Sequence, residues 1–121
     1  MIIDLFMAHL VGDYLLQDDW QAQNKKAPGS KGLLACLVHC VLYTAAVFAF
    51  AFTFGGRQLP IWAIGAVFLS HWALDRYKIM PVLFRFMRKN KFGQPPMAPW
   101  SFILVDNILH VLVLYAITQM I

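Results

Sequence analysis

The chain has 121 residues, room for one domain; 60% are hydrophobic and only 13% charged, with a mean hydropathy of +0.62. A soluble domain carries about 25% charge, so this composition excludes an ordinary soluble fold and indicates helices whose solvent is lipid. The net charge of +4 comes from basic residues in two blocks beside apolar segments, which suits anionic lipid headgroups and argues against a nucleic-acid partner.

In chain order, residues 2–17 form the first expected helix, interrupted by His9 and Asp13. Asp4 stands where a secretory signal would carry lysine or arginine, so this segment is read as retained structure. Residues 33–54 are the clearest span. A turn at Gly55, Gly56 and Arg57 leads to a third span over 59–78, opened by Pro60 at a position suited to a helix start. Residues 80–91 place Met80, Leu83, Phe84 and Met87 on one face and Arg85, Arg88 and Lys89 on another, a pattern for a short helix in the membrane interface. Gln94 to Pro99 is expected to return extended to a fourth span over 100–121. The expected fold is therefore all-α: a single transmembrane domain of about four helices over 1–121, with a short cytoplasmic interfacial helix. Cys36 and Cys40 lie within an apolar run and are read as small packing residues.

Orientation follows from the basic residues. Lys25, Lys26, Lys31, Arg76, Lys78, Arg85, Arg88, Lys89 and Lys91 fall on one side and only Arg57 on the other. The positive-inside rule makes the rich side cytoplasmic, with both termini outside or periplasmic in a bacterial inner membrane. Trp20 and Trp100 at the inner boundary and Trp62 at the outer fit an aromatic belt.

Depth organises the polar residues. His9 and Asp13, His71 and Asp75, and Asp106 and His110 are each four apart, so each pair shares a helix face. The order is histidine then aspartate in the first and third spans and reversed in the fourth, which runs the opposite way. All three helices thus place histidine deeper and aspartate nearer the cytoplasm, as one shared site requires. His39 of the second span adds a further imidazole.

A charge at the centre of a membrane helix costs about 2.5–3.5 kcal/mol even on insertion scales, so such a set needs compensation. A divalent cation provides it by holding carboxylates ionised and imidazoles neutral. His9, Asp13, His39, His71, Asp75, Asp106 and His110 are candidate ligands for one or two ions of zinc, manganese or iron. One of Asp13, Asp75 and Asp106 can serve instead as a catalytic base. Gln17, Lys78 and Asn107 extend these faces toward the cytoplasm as candidate substrate-binding groups, Lys78 for an anion such as phosphate. The plain alternative is hydrogen-bonding glue between helices.

The segments His9-Leu-Val-Gly-Asp13-Tyr-Leu-Leu-Gln17, His71-Trp-Ala-Leu-Asp75-Arg-Tyr-Lys78 and Asp106-Asn-Ile-Leu-His110 resemble a family of small bacterial and phage integral membrane proteins known as domain of unknown function 3307. That family more often carries glutamine where this chain has Asn107. The resemblance covers nearly the whole chain and implies a membrane location without an activity. A looser similarity is to predicted membrane-bound metal-dependent hydrolases. The leading expectation is a membrane-embedded metal-dependent hydrolase acting on a lipid-like or phosphate-bearing substrate at the cytoplasmic leaflet, with the bilayer as partner and a homo-oligomer allowed. Alternatives are an ion, proton or small-solute transport module, and a non-catalytic phage or bacterial membrane effector whose polar cluster is structural.

Overall fold

Apolar residues at helical spacing dominate the chain from its first residues, and a computed structural model, which describes residues 1–121, is helical throughout with no strand. Helix α1 (Ile2–Leu10) runs without a break into a π turn (Val11–Leu15), closed by the Leu16 amide on the Val11 carbonyl at 3.0 Å. Isolated π turns recur at functional positions because they re-aim side chains within a helix; this one carries Asp13.

The first connector is not a plain loop. Asp18 caps a short helix, α2 (Asp19–Asn24), by accepting from the Gln21 amide at 2.8 Å, and this element was not foreseen from the apolar pattern. Helix α3 (Gly29–Thr53) starts four residues earlier than expected, directly after Pro28. A Cβ at Gly32 would lie 1.8 Å from the Ala27 carbonyl oxygen, so glycine lets the Lys25–Ala27 turn fold onto the start of α3.

Helix α4 (Ile61–Arg76) follows Pro60 and ends where Tyr77 turns extended. Its carbonyl end is capped from outside: Lys26 Nζ donates to the carbonyls of Leu74 (3.2 Å), Asp75 (2.8 Å) and Tyr77 (3.1 Å). A cation on unpaired C-terminal carbonyls is favourable both as donor and against the helix dipole.

Helix α5 (Ile79–Phe86) is shorter than the expected 80–91 segment, because Arg88 adopts a left-handed φ of 57° and the Lys89 amide folds back on the Phe84 carbonyl. Of its apolar side chains, Phe84 is buried and stacks on Phe102 at 4.9 Å, whereas Met87 lies past the helix and is exposed. Gln94 to Pro99 is a run of turns rather than an extended return: the Met97 and Ala98 amides both donate to the Gln94 carbonyl. Helix α6 (Trp100–Gln119) completes the chain.

Four helices form the body. α1 packs on α3 and α6, and α4 also packs on α3 and α6, so α3 and α6 lie diagonally opposite. At one end the core is dry: Leu5, Ala8, Val47, Ala51, Ala63, Val67, Leu114 and Ile117 form one buried cluster, with Tyr43 at its boundary. Outward-facing positions remain apolar, including Ile3, Leu15, Leu33, Phe52, Ile61, Leu69 and Leu112. Two helices, α3 and α6, are long and apolar enough to cross a bilayer, with mean hydropathies of 2.2 and 1.8 over their most apolar windows. α4 has 16 residues and α1 has 9 before its π turn, short of the roughly 20 that one straight span needs.

Candidate metal centre

The other end of the bundle core is built from ionisable groups. His9, His39, His71, Asp75 and His110 are at most 2% exposed and Asp13 is 8% exposed. Such burial costs several kcal/mol per ion unless each group is paired. Asp13 Oδ1 lies 3.2 Å from His39 Nε2 and 3.3 Å from His71 Nε2. Asp75 Oδ2 lies 2.8 Å from His39 Nε2 and 3.3 Å from His71 Nε2. The two imidazole nitrogens face each other at 2.9 Å.

These separations are five of the six edges that four ligand atoms around one ion would define, and the sixth, between the two carboxylates, is within 4.8 Å. A centre with bonds of about 2.0–2.1 Å has ligand-to-ligand edges of about 3.3 Å, and the five distances from 2.8 to 3.3 Å fall at or slightly below that value. One donor atom from each of Asp13, His39, His71 and Asp75 lies within 4.8 Å of all the others; the same holds for Asp13, Asp106 and His110. The buried Asp/His cluster could therefore hold a metal ion. Three helices and the π turn contribute to it, so no single segment can form it alone.

His9 takes another place. Its Nε2–H donates to Asn107 Oδ1 at 2.7 Å, which leaves Nδ1 to accept from the Tyr43 hydroxyl at 3.0 Å. Asn107 is fixed in this orientation because its amide nitrogen donates to the Ile103 carbonyl and to the Tyr14 hydroxyl. With both nitrogens engaged, His9 stands outside the two ligand sets, although Nδ1 remains 3.5 Å from Asp13 Oδ2. Asn107 accordingly braces His9 instead of extending a ligand face. Gln17 donates at 3.3 Å to the backbone carbonyl of Asp13 and makes no hydrogen bond to an imidazole. The Nδ1 atoms of His39 and His71 make no hydrogen bond.

Lys25 and Lys26, which the structure brings to the site, carry no signal in helical periodicity. Lys25 Nζ donates to Asp75 Oδ2 at 2.6 Å, across 50 residues of sequence. Burial works against the Lys25 ammonium, but the Asp75 carboxylate outweighs it and raises the pKa above the ordinary lysine value. For Lys26 burial prevails and the pKa falls below that value. Tyr43 stacks on His71 with ring centroids 3.5 Å apart while bonding His9. It lies four residues after His39 on the same helix face, and extending that stripe by one turn would have found it. Gly12 makes room for it: a Cβ there would meet Tyr43 Cδ2 at 2.6 Å.

The cluster borders a cavity of about 380 Å³ lined by Lys25, Lys26, Lys78, Asp75 and Asp106 together with apolar residues of α5 and α6. Lys78 reaches it not by helical register, since α4 has already ended at Arg76, but through the extended residue Tyr77. A second, apolar groove of about 620 Å³ lies between α1 and α6, and Ile103 lines both.

No curated protein and no solved structure matches the chain. The model of a protein family of unknown function, DUF3307, matches residues 1–121, and the chain, with these paired motifs spread along its whole length, belongs to that family.

Proposed function

We propose that this protein is a membrane-embedded, metal-dependent hydrolase that works at the cytoplasmic leaflet on a phosphate-bearing or other anionic, lipid-like substrate. The observation that carries the proposal is the convergence of Asp13, His39, His71 and Asp75 beside a lysine-lined cavity. In this reading α1 with its π turn and α4 join α3 and α6 as four spans of a bacterial inner membrane. Their outward apolar residues meet lipid, and the basic residues around α5 lie at the cytoplasmic headgroups.

Divalent metal held in this Asp/His cluster would supply Lewis acidity and an activated water. The chain's own groups do the rest. Lys25 holds the Asp75 carboxylate in place by its hydrogen bond, the outer support that ligating carboxylates characteristically have. Tyr43, braced by His9, fixes the plane of the His71 ring. Lys78 meets the anionic group of the substrate in the cavity, and the partly exposed Asp106 lies at the same wall. The dry half, from Leu5 to Ile117, offers no polar file, which weighs against a transport path through one copy of the chain.

Purified protein is expected to contain stoichiometric zinc, manganese or iron by elemental analysis, and to release phosphate from anionic lipid phosphates in mixed micelles in a chelator-sensitive manner. His71→Ala should insert normally and carry less metal. Wild-type protein without metal, or a His71→Ala protein with unchanged metal, rejects the proposal.

A further inference from the structure

We infer that the site holds a second divalent cation, bound by Asp13, Asp106 and His110, with Asp13 bridging the two ions. The inference rests on the metal-dependent reading above and goes beyond it in number, position and role.

His110 supplies the first argument. Its Nδ1 faces the backbone carbonyl of Asp106 at 2.8 Å; a carbonyl only accepts, so the proton of a neutral imidazole resides on Nδ1. Nε2 then presents a lone pair, and this atom is buried without a hydrogen-bond partner. Its nearest charged neighbour, Asp75 Oδ1 at 3.3 Å, is also an acceptor. Two acceptors facing each other in a buried site call for positive charge beside them, which a cation on Nε2 provides. An Nδ1–H bonded to a carbonyl is also the usual arrangement behind an imidazole that binds metal through Nε2.

Asp13 supplies the second. It belongs to both candidate ligand sets. Its Oδ1 approaches His39 and His71 and makes no hydrogen bond, while Oδ2 makes only a 3.5 Å approach to His9. A carboxylate with both oxygens open in this way spans two cations, and such pairs sit about 3.5–4 Å apart.

The third is the contrast between the sets. The first has four protein donors, which complete a tetrahedral shell; the second has three. Three protein ligands with a free position are the pattern of catalytic rather than closed sites. The free position also has somewhere to lead, because Asp106 lines the cavity that contains Lys78. Charge ranks the two. Asp13, Asp75 and Asp106 as ionised ligands, set against the Lys25 ammonium, leave two negative charges, enough to neutralise one divalent ion. The second ion therefore binds more weakly and leaves a positive excess that favours an anionic substrate.

The test is a manganese titration of the full chain in detergent after chelator stripping, with bound metal counted and the Mn(II) paramagnetic resonance spectrum recorded. Two manganese ions per wild-type chain are expected, the second weaker, with a spin-coupled spectrum at saturation. Asp106→Asn should bind one ion and give an uncoupled spectrum; His110→Gln should do the same. One ion per wild-type chain with no coupling overturns the second site while leaving the hydrolase reading intact. No bound ion in the wild type overturns both. Two coupled ions that persist in both variants place the second ion elsewhere and also overturn the inference. Should either variant fail to fold, wild-type stoichiometry and coupling decide on their own.

Discussion

The two ends of the bundle are built on opposite principles from the same four helices. Toward the termini, Leu5, Val47, Ala51, Ala63, Val67, Leu114 and Ile117 interdigitate with no polar atom to satisfy. Toward the basic loops, the equivalent helix faces carry His39, His71, Asp75 and His110, each at most 2% exposed. Tyr43 stands at the boundary, packed into the dry cluster and stacked on His71. In the membrane-embedded reading proposed above there is little hydrophobic drive between helices, so van der Waals packing at the dry end would hold them together. That grip keeps the polar faces at metal-binding distance despite their desolvation cost. With the proposed function, the contrast assigns stability to one end and chemistry to the other.

The largest effect should come from removing a shared group at the polar end. Asp75→Asn takes away a neighbour of His39, His71 and His110 and strips Lys25 of its partner. Metal affinity should fall by at least about 100-fold, more than the 10–100-fold typical of outer-shell changes. Leaving a buried charge unpaired should also destabilise the metal-free protein by about 3 kcal/mol. Competition against a calibrated chelator and thermal unfolding measure the two; a variant that retains wild-type affinity would break the assignment of chemistry to this end.

Leu114→Ala probes the other end. Leu114 is 2% exposed in the dry cluster, and its truncation should cost about 2–3 kcal/mol. That is the lower part of the usual range, because for the proposed membrane bundle the loss is of packing rather than of burial from water. Metal stoichiometry at low temperature should stay that of the wild type. Loss of metal from a folded Leu114→Ala protein would show the ends to be coupled.

The smallest change tests the boundary. Gly12→Ala would push its Cβ against Tyr43 and shift the ring that orients His71. Overpacking of this kind costs about 1–3 kcal/mol, and metal affinity should drop by about 10-fold through the imidazole. Tyr43→Leu in the same background, which removes the clash, should recover stability but not affinity.

Local rules made much of this molecule legible. His71–Asp75 and Asp106–His110 are readable as pairs because helix geometry alone puts residues four apart on one face. Proline marks the starts of α3, α4 and α6, since it tolerates an N-terminal position and no interior one. The reversal of the motif in α6 already implied an antiparallel helix facing the same site. Less legible were elements with weak apolar pattern, such as α2 and the turns of Gln94–Pro99, whose form depends on capping and local hydrogen bonds.

By itself, then, the sequence determined that the chain is helical and apolar and that its histidines and aspartates lie in facing stripes, because spacing and composition are local quantities. Only the tertiary structure decided how those stripes are used. It placed Asp13 in both ligand sets and engaged both nitrogens of His9 with Tyr43 and Asn107, 34 and 98 residues away. It also brought Lys25 from a loop onto Asp75 and Lys26 onto the end of α4. The physical reason is that a buried polar group must find its partner wherever packing delivers one, and which partner that is depends on how four helices close around one another.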